Sequence, residues 1–219
     1  MLPALPLDDE MRIATPRLDL VPLTAADAID LFPVLDDAEL GRWTGETPPA
    51  DVEVLRERFA GWESRRSRDG DELWLNWVVR RRGDDRAVGH LQATVGLDSA
   101  SVAWVIGRDF QRQGFASEAA RASIAWLLEA LGSSTIVASI HPGNVASQVV
   151  ARRIGLRPTD RRDDGEVVWE YVRSERRPTL DHRGGRRASQ FHDPLTSPGP
   201  KPCWTSSSSP APVAPQTSR

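Results

Sequence analysis

Twelve residues between an apolar run and an amphipathic one, Arg108-Asp109-Phe110-Gln111-Arg112-Gln113-Gly114-Phe115-Ala116-Ser117-Glu118-Ala119, have the composition of an anion site. Gly114 and the small Ala116 let the backbone approach a ligand closely. The free amides of a first helical turn, at the positive end of the helix dipole, suit a pyrophosphate. Arg112 adds a formal charge beside them. Taken alone, one Gly and one Ala ahead of a helix fit a plain strand-to-helix connection equally well, so the surrounding elements have to decide. No Gly-x-x-x-x-Gly-Lys-Ser/Thr and no Gly-x-Gly-x-x-Gly is present, which argues against a P-loop or Rossmann nucleotide binder.

Those elements alternate in type. Residues 102–106 are almost wholly apolar and read as a strand, and residues 117–131 place Ala120, Ile124, Leu127, Leu128 and Leu131 on one helical face, with Gly132 as the stop. Residues 135–140 make the next strand; Asn144 caps a helix carrying Val145, Val149 and Ile154, closed by Gly155, and residues 167–172 form a last strand. Upstream, Leu18, Leu20 and Val21 read as a short strand, and Thr24 with Asp27 as a capping box opening a helix through Phe32. Thr47-Pro48 reads as the start of a longer helix with an apolar stripe at Val52, Leu55, Phe59 and Trp62. Residues 73–81 and 87–95 form a hairpin across Gly83-Asp84-Asp85. The sum is a mixed α/β domain of about seven strands and about four helices over residues 12–174, preceded by a leader at 1–11. Residues 175–219, rich in Pro, Ser and Arg, are expected to be a disordered tail, because they carry too little apolar surface to offset ordering entropy.

Composition narrows the function. The 219 residues include 28 basic and 31 acidic side chains, a formal net charge of -3 that argues against a general nucleic-acid binder, although Lys201 is the one Lys among the basic residues. The single Cys203 supplies neither a disulfide nor a metal cluster, and His90 and His141 show no triad partner or metal-ligand spacing, so no metal is expected. Asp8, Asp9 and Glu10 stand where a signal peptide would be basic, and no stretch approaches the roughly 18 apolar residues of a membrane helix. The expectation is a cytoplasmic protein with no membrane partner, a monomer or homodimer.

Gln111-x-x-Gly114-x-Ala116 resembles the acetyl-CoA motif of the GNAT superfamily of N-acetyltransferases, Gln/Arg-x-x-Gly-x-Gly/Ala, at the place after the fourth strand where that family has it. His141-Pro142-Gly143-Asn144-Val145-Ala146-Ser147, followed by Ile154-Gly155-Leu156, resembles the family's second cofactor segment. Thr15-Pro16-Arg17-Leu18, the Trp-containing fourth strand and Asn-x-x-Ser are similar to the RimJ/RimL subgroup. The resemblance covers residues 12–173 and implies a mixed, mostly antiparallel sheet. It implies acetyl-CoA as co-substrate, held by Gln111, Arg112, Gln113, Gly114, Phe115, Ala116, Ser117, Asn144 and Ser147. It implies direct transfer to an amine with no acyl-enzyme, in a cleft between the fourth and fifth strands. The backbone N–H groups of Val105 and Ile106 would then polarise the thioester carbonyl.

Three departures from the family pattern matter, the first two for proton handling and the third for packing only. Ser101 lies in Ala100-Ser101-Val102-Ala103-Trp104, where many relatives carry Glu; Ala151 occupies the slot of a proton-donating Tyr; and Leu156 replaces the commoner Phe. Ser147, four residues before Ala151 on one helical face, carries the hydroxyl placed to replace the phenol. Glu166, Glu170 and Asp98 are the candidate bases. An α-amine of pKa near 7.7 to 8.0 needs such a base about a hundredfold less than a lysine amine near 10.4. The resemblance implies a protein N-terminal α-amine or a small-molecule amine as acceptor, with Trp43 as a candidate acceptor contact. The competing reading is a catalytically silent domain that binds acetyl-CoA for regulation.

Overall fold

A computed structural model describes residues 2–45 and 47–171 of the chain. The element order is α1 (Asp8–Met11), β1 (Ile13–Ala14), β2 (Leu18–Pro22), a 3-10 turn (Ala25–Asp27), α2 (Ala28–Leu35), α3 (Ala38–Thr44), α4 (Val52–Trp62), β3 (Leu73–Arg81), β4 (Ala87–Val95) and β5 (Ser99–Ile106). A second 3-10 turn (Arg108–Phe110) leads to α5 (Phe115–Ala130), β6 (Thr135–Ile140), α6 (Val145–Arg153), β7 (Leu156–Asp163) and β8 (Glu166–Tyr171). The strands form one eight-stranded sheet in the order β1-β2-β3-β4-β5-β6-β8-β7, antiparallel throughout except for the parallel pair β5–β6. The expected α/β class and mixed, mostly antiparallel sheet are what the chain adopts, with eight strands and six helices among the described residues. The expected tail at 175–219 lies outside them.

Each sheet face buries its own core. On one, Leu18, Leu20, Leu75, Trp77 and Leu91 pack with Ile124 and Leu127 of α5; on the other, Leu31 of α2 and Leu55 and Phe59 of α4 pack with Leu23 and Val78. The helix expected from Thr47 begins instead at Val52, because the Asp51 carboxylate accepts the Val54 N–H at 2.9 Å and sets the N-terminus there. The segment expected to be a leader is fastened to the domain: Met11 is fully buried, and the indole N–H groups of Trp77 and Trp126 donate to the carbonyls of Met11 and Glu10, each at 2.8 Å. The Thr24–Asp27 box forms through the Asp27 carboxylate, which accepts from both the backbone and the hydroxyl of Thr24.

The feature that shapes the site is a split in the sheet. The β5–β6 ladder pairs Ser99, Ala100 and Ser101 with Thr135, Ile136 and Val137, and then stops, while β5 stays paired with β4 as far as Ile106 opposite Gly89. Gly89 lets β4 and the end of β5 approach closely. A Cβ at this position would overlap the Val105 carbonyl oxygen, closer than any side chain tolerates.

His90 lies on β4 under α4, 5% exposed, its ring 6.4 Å from that of Trp62. Burial, helped by the nearby charge of Arg58, lowers its pKa from 6.5 to about 4. Between those values the unfolded chain binds a proton that the folded chain refuses, so stability is lost as pH falls through that window. Relative to pH 7.5, the contribution at pH 5 is a loss of about 2 kcal/mol. Urea titrations of the unsubstituted protein and His90→Gln at both pH values should show the variant losing less stability on acidification by about that amount; equal losses in the two proteins would contradict a neutral buried imidazole.

Candidate active site

The split opens a cleft of about 1030 Å³ between β5 and β6, walled by α3, the start of α5 and α6. At one end lies the turn before α5. Arg112 and Gly114 both have left-handed backbone, φ 61° and 84°, which turns the chain sharply into a helix that begins at Phe115. The Glu118 N–H bonds the Gly114 carbonyl, so the amides of Phe115, Ala116 and Ser117 precede the first intrahelical bond and face the ligand end without an intrahelical acceptor. Arg112 lines the cleft and is exposed. At this end the amides of a helix N-terminus and the guanidinium of Arg112, unpaired among the described residues, border one volume, an arrangement suited to an anion.

Gln111, Arg112, Gly114, Phe115, Ala116 and Ser117 all line the cleft, and so do Asn144, Ser147, Val105, Ile106 and Glu166. Gln113 is not among the lining residues; its side chain donates to the Asp109 carbonyl at 3.1 Å and its own carbonyl accepts from Arg17. Gln111 braces the site as well as lining it, donating to the Ile106 carbonyl at 3.0 Å and so holding the end of β5 against the turn. Asn144 caps α6 as its position suggested, its Oδ1 accepting the Ser147 N–H at 3.0 Å. The Ser147 hydroxyl has no hydrogen-bond partner among the described residues, and Ala151, one turn on, is fully buried beneath it.

The register corrects one expectation. Gly107 N–H donates to Val88 and Gly96 N–H to the Ser99 carbonyl, which fixes the phase of the β4–β5 ladder. Peptide groups alternate in direction along a strand, so the Val105 N–H, opposite His90, points to β4 and is spent in the sheet. The amides of Trp104 and Ile106 point the other way, across the split. Of the two amides expected to face the gap, that of Ile106 does so and that of Val105 does not; the Trp104 amide faces it instead.

The three candidate bases separate cleanly. Glu170 is paired with Arg161 at 2.7 Å, and Asp98 lies in the turn before β5, where its carbonyl accepts from Ser134 and Thr135. Glu166, at the start of β8, lines the cleft half-buried. Burial raises its pKa above the ordinary carboxylate value; neighbouring His141 pulls it down, and Asp163 and Asp164 push it up. Ser101 is buried in the β5–β6 ladder, outside the cleft lining.

Helix α3 closes the far wall and leaves no mark in the sequence pattern, being too short to show a period. Asp37 is its N-cap, accepting the Glu39 N–H, and the same carboxylate takes two hydrogen bonds at 2.9 Å from Arg108, which hold its pKa below the usual range. That pairing ties α3 to the loop before the turn and neutralises Arg108. It brings Glu39, Leu40 and Trp43 onto the cleft, with the Trp43 ring 5.6 Å from that of His141. The His141 Nδ1 accepts the Gly143 N–H at 3.0 Å, which leaves the proton of a neutral ring on Nε2. The cation Arg112 thus stands at the turn end, and the carboxylates Glu39 and Glu166 stand along the cleft with the Trp43–His141 pair.

The comparisons agree with this geometry. Residues 17–157, well over half of the chain, match the family model described as an acetyltransferase (GNAT) domain. The chain is 31% identical over 78 residues to the uncharacterized N-acetyltransferase YnaD of Bacillus subtilis, a match spanning 35% of this chain and 46% of that protein. Among solved structures it resembles Mycobacterium smegmatis RimJ in complex with CoA-disulfide, with a TM-score of 0.63 and 20% identity over 81% of this chain and 92% of that one. It also resembles the ribosomal-protein-S5-alanine acetyltransferase of Vibrio fischeri, with a TM-score of 0.60 and 15% identity over 76% of this chain and 99% of that one. Among the described residues no group of His, Cys, Asp and Glu forms a metal site, and no helix is long and apolar enough to cross a membrane. With the family model aligned from the residue before β2 into β7, and the split sheet and turn in place, the chain belongs to the GNAT acetyltransferase family.

Proposed function

We propose that this chain transfers an acetyl group from acetyl-CoA to the amine of a cationic acceptor, either a polypeptide α-amine or a small-molecule amine. The observation that carries the reading is the polarity of the cleft: an anion-binding turn at one end, and Glu39 and a raised-pKa Glu166 along the acceptor side. Acetyl-CoA supplies the activated acetyl group, with its pyrophosphate on the amides of 115–117 and Arg112. The Ile106 and Trp104 N–H groups offer hydrogen bonds to negative charge developing on the carbonyl oxygen. Glu166 takes the proton that the amine loses as its bond to carbon forms, and the Ser147 hydroxyl donates a hydrogen bond to the departing sulfur, which leaves as the thiolate and takes its proton from solvent. The resemblance to the ribosomal-protein-S5-alanine acetyltransferase of Vibrio fischeri adds weight to a polypeptide α-amine.

An acetyl-transfer screen of peptides with free N-termini against polyamines and amino sugars, with thiol release followed in the absence of acceptor, tests the proposal. Turnover confined to amine-containing reactions is expected. Tight acetyl-CoA binding with no acceptor in any class would leave a ligand-binding domain instead.

The turn is tested separately. Gly114 sits at φ 84°, where a β-branched residue is strained by about 1–3 kcal/mol, and the turn can relieve that strain only by moving its amides. Gly114→Val should weaken acetyl-CoA by about tenfold to a hundredfold in calorimetry. Gly70→Val is the matched control, since Gly70 has φ 76° with open space around it and lies away from the cleft. It should share the loss of stability and keep the affinity; weakened binding in both variants would make the effect one of general strain.

A further inference from the structure

The pyrophosphate turn carries a charge that ought to spoil it. Glu118 lies in the first turn of α5, next to the amides of 115–117. A carboxylate there opposes the attraction of the helix dipole for an incoming pyrophosphate. The Glu118 side chain is only 17% exposed, so solvent screens it poorly.

The segment between β1 and β2 meets this carboxylate with a complete set of donors. The Thr15 hydroxyl donates to Glu118 Oε1 at 2.7 Å and the Arg17 backbone N–H to the same oxygen at 2.9 Å. The Arg17 guanidinium grips the other oxygen, from Nε at 2.7 Å and Nη2 at 2.6 Å. Its remaining arm, Nη1, donates to the Gln113 carbonyl at 2.9 Å, inside the turn itself, and the guanidinium carbon stands 4.8 Å from the centre of the Phe115 ring. All three guanidinium nitrogens are therefore engaged with the protein, which distinguishes Arg17 from Arg112. Burial by itself would raise the Glu118 pKa, but Thr15 and Arg17 outweigh it and the net shift is downward, so the carboxylate is charged and needs a counter-charge.

We propose that Arg17 is a positioning residue for the cofactor: it neutralises Glu118 and pins the Gln113 carbonyl, so that the turn presents amides and net positive potential to the pyrophosphate of acetyl-CoA. The inference rests on the reading of that turn as the pyrophosphate site. It gives the amino-terminal strap of the domain, Thr15 to Arg17, a role at a site some hundred residues away in the chain.

The test is the affinity for CoA by calorimetry in four proteins: unsubstituted, Arg17→Ala, Glu118→Gln and the double variant. Arg17→Ala is expected to raise Kd about tenfold to a hundredfold, because an uncompensated carboxylate then stands in the helical turn whose amides meet the ligand. Glu118→Gln should stay within about fivefold of the unsubstituted protein. The double variant should bind better than Arg17→Ala, recovering to within about fivefold, since the offending charge has gone with its partner. A merely structural latch predicts the reverse, as the double variant loses both halves of it; a double variant no better than Arg17→Ala overturns the proposal, and so does an Arg17→Ala Kd within twofold of the original. Should Arg17→Ala not fold, Arg17→Lys and its double with Glu118→Gln read the same sign with a smaller change. If the unsubstituted protein does not bind CoA at all, it is the pyrophosphate reading that fails, and the proposal with it.

Discussion

Glu166→Gln is expected to lower kcat/KM by about a hundredfold to ten thousandfold with a lysine-type amine, the usual span for loss of a general base, and by an amount toward the lower bound with an α-amine. The change is isosteric and removes the proton acceptor while leaving the half-buried site packed. Affinity for acetyl-CoA should hold, because Glu166 lies on β8, away from the turn. The pH profile carries the sharper signature. Glu166 acts when ionised and its pKa is raised by burial, so activity of the unsubstituted enzyme should fall as pH drops through a limb lying above the ordinary carboxylate value near 4.5. In the Gln variant that limb should vanish, leaving the ionisation of the acceptor amine itself. A variant with unchanged rate and an unchanged acidic limb would move the base elsewhere, with His141 the next group to test.

Ser147→Ala is expected to lower kcat by about tenfold to a thousandfold with little change in acetyl-CoA affinity. The range is modest because a free thiol has a pKa near 8.5, so the leaving sulfur needs a proton less urgently than an alkoxide would. For the same reason the deficit should shrink as pH rises past that value. The hydroxyl is available to donate, since Asn144 engages the Ser147 backbone N–H and not its side chain. Loss of affinity with kcat intact would make Ser147 a binding residue, and retention of both would leave it a polar residue of α6.

Much of the scaffold is legible where one physical signal dominates. The hairpin at 73–81 and 87–95 and the strand at 135–140 coincide with β3, β4 and β6, because β-branched and aromatic runs bounded by turn residues have few alternatives. The turn at 111–117 is legible because it depends on local backbone chemistry. Strand β7 is not: Arg157, Asp160, Arg161, Arg162 and Asp163 read as a solvated loop, and only pairing with β8 makes them a strand. Helix α3 escapes because seven residues give less than two full periods. Where the structure places a candidate residue otherwise than the sequence suggests, the cause is tertiary register and packing. Whether Val105 or Trp104 presents its amide to the cleft depends on which way β5 is phased against β4, and Gln113 reads as a ligand contact until Asp109 and Arg17 are seen to occupy it. Likewise Glu166, Glu170 and Asp98 are equivalent as carboxylates in a sequence; the placement of Arg161 beside one of them is what singles out another.

The eight-stranded sheet ends in two quite different borders, and neither invites a further strand. On one side β1 offers only Ile13 and Ala14, too short a rail for a neighbouring chain to zip onto. On the other, β7 is broken in register between Pro158 and Arg162, with a proline that lacks a donor and a row of like and unlike charges along the rest. A protein with an internal gap between β5 and β6 already exposes unpaired backbone in its middle; blunt borders confine that stickiness to the cleft. Amyloid-like stacking and domain exchange through pairing at these two edges are thereby disfavoured.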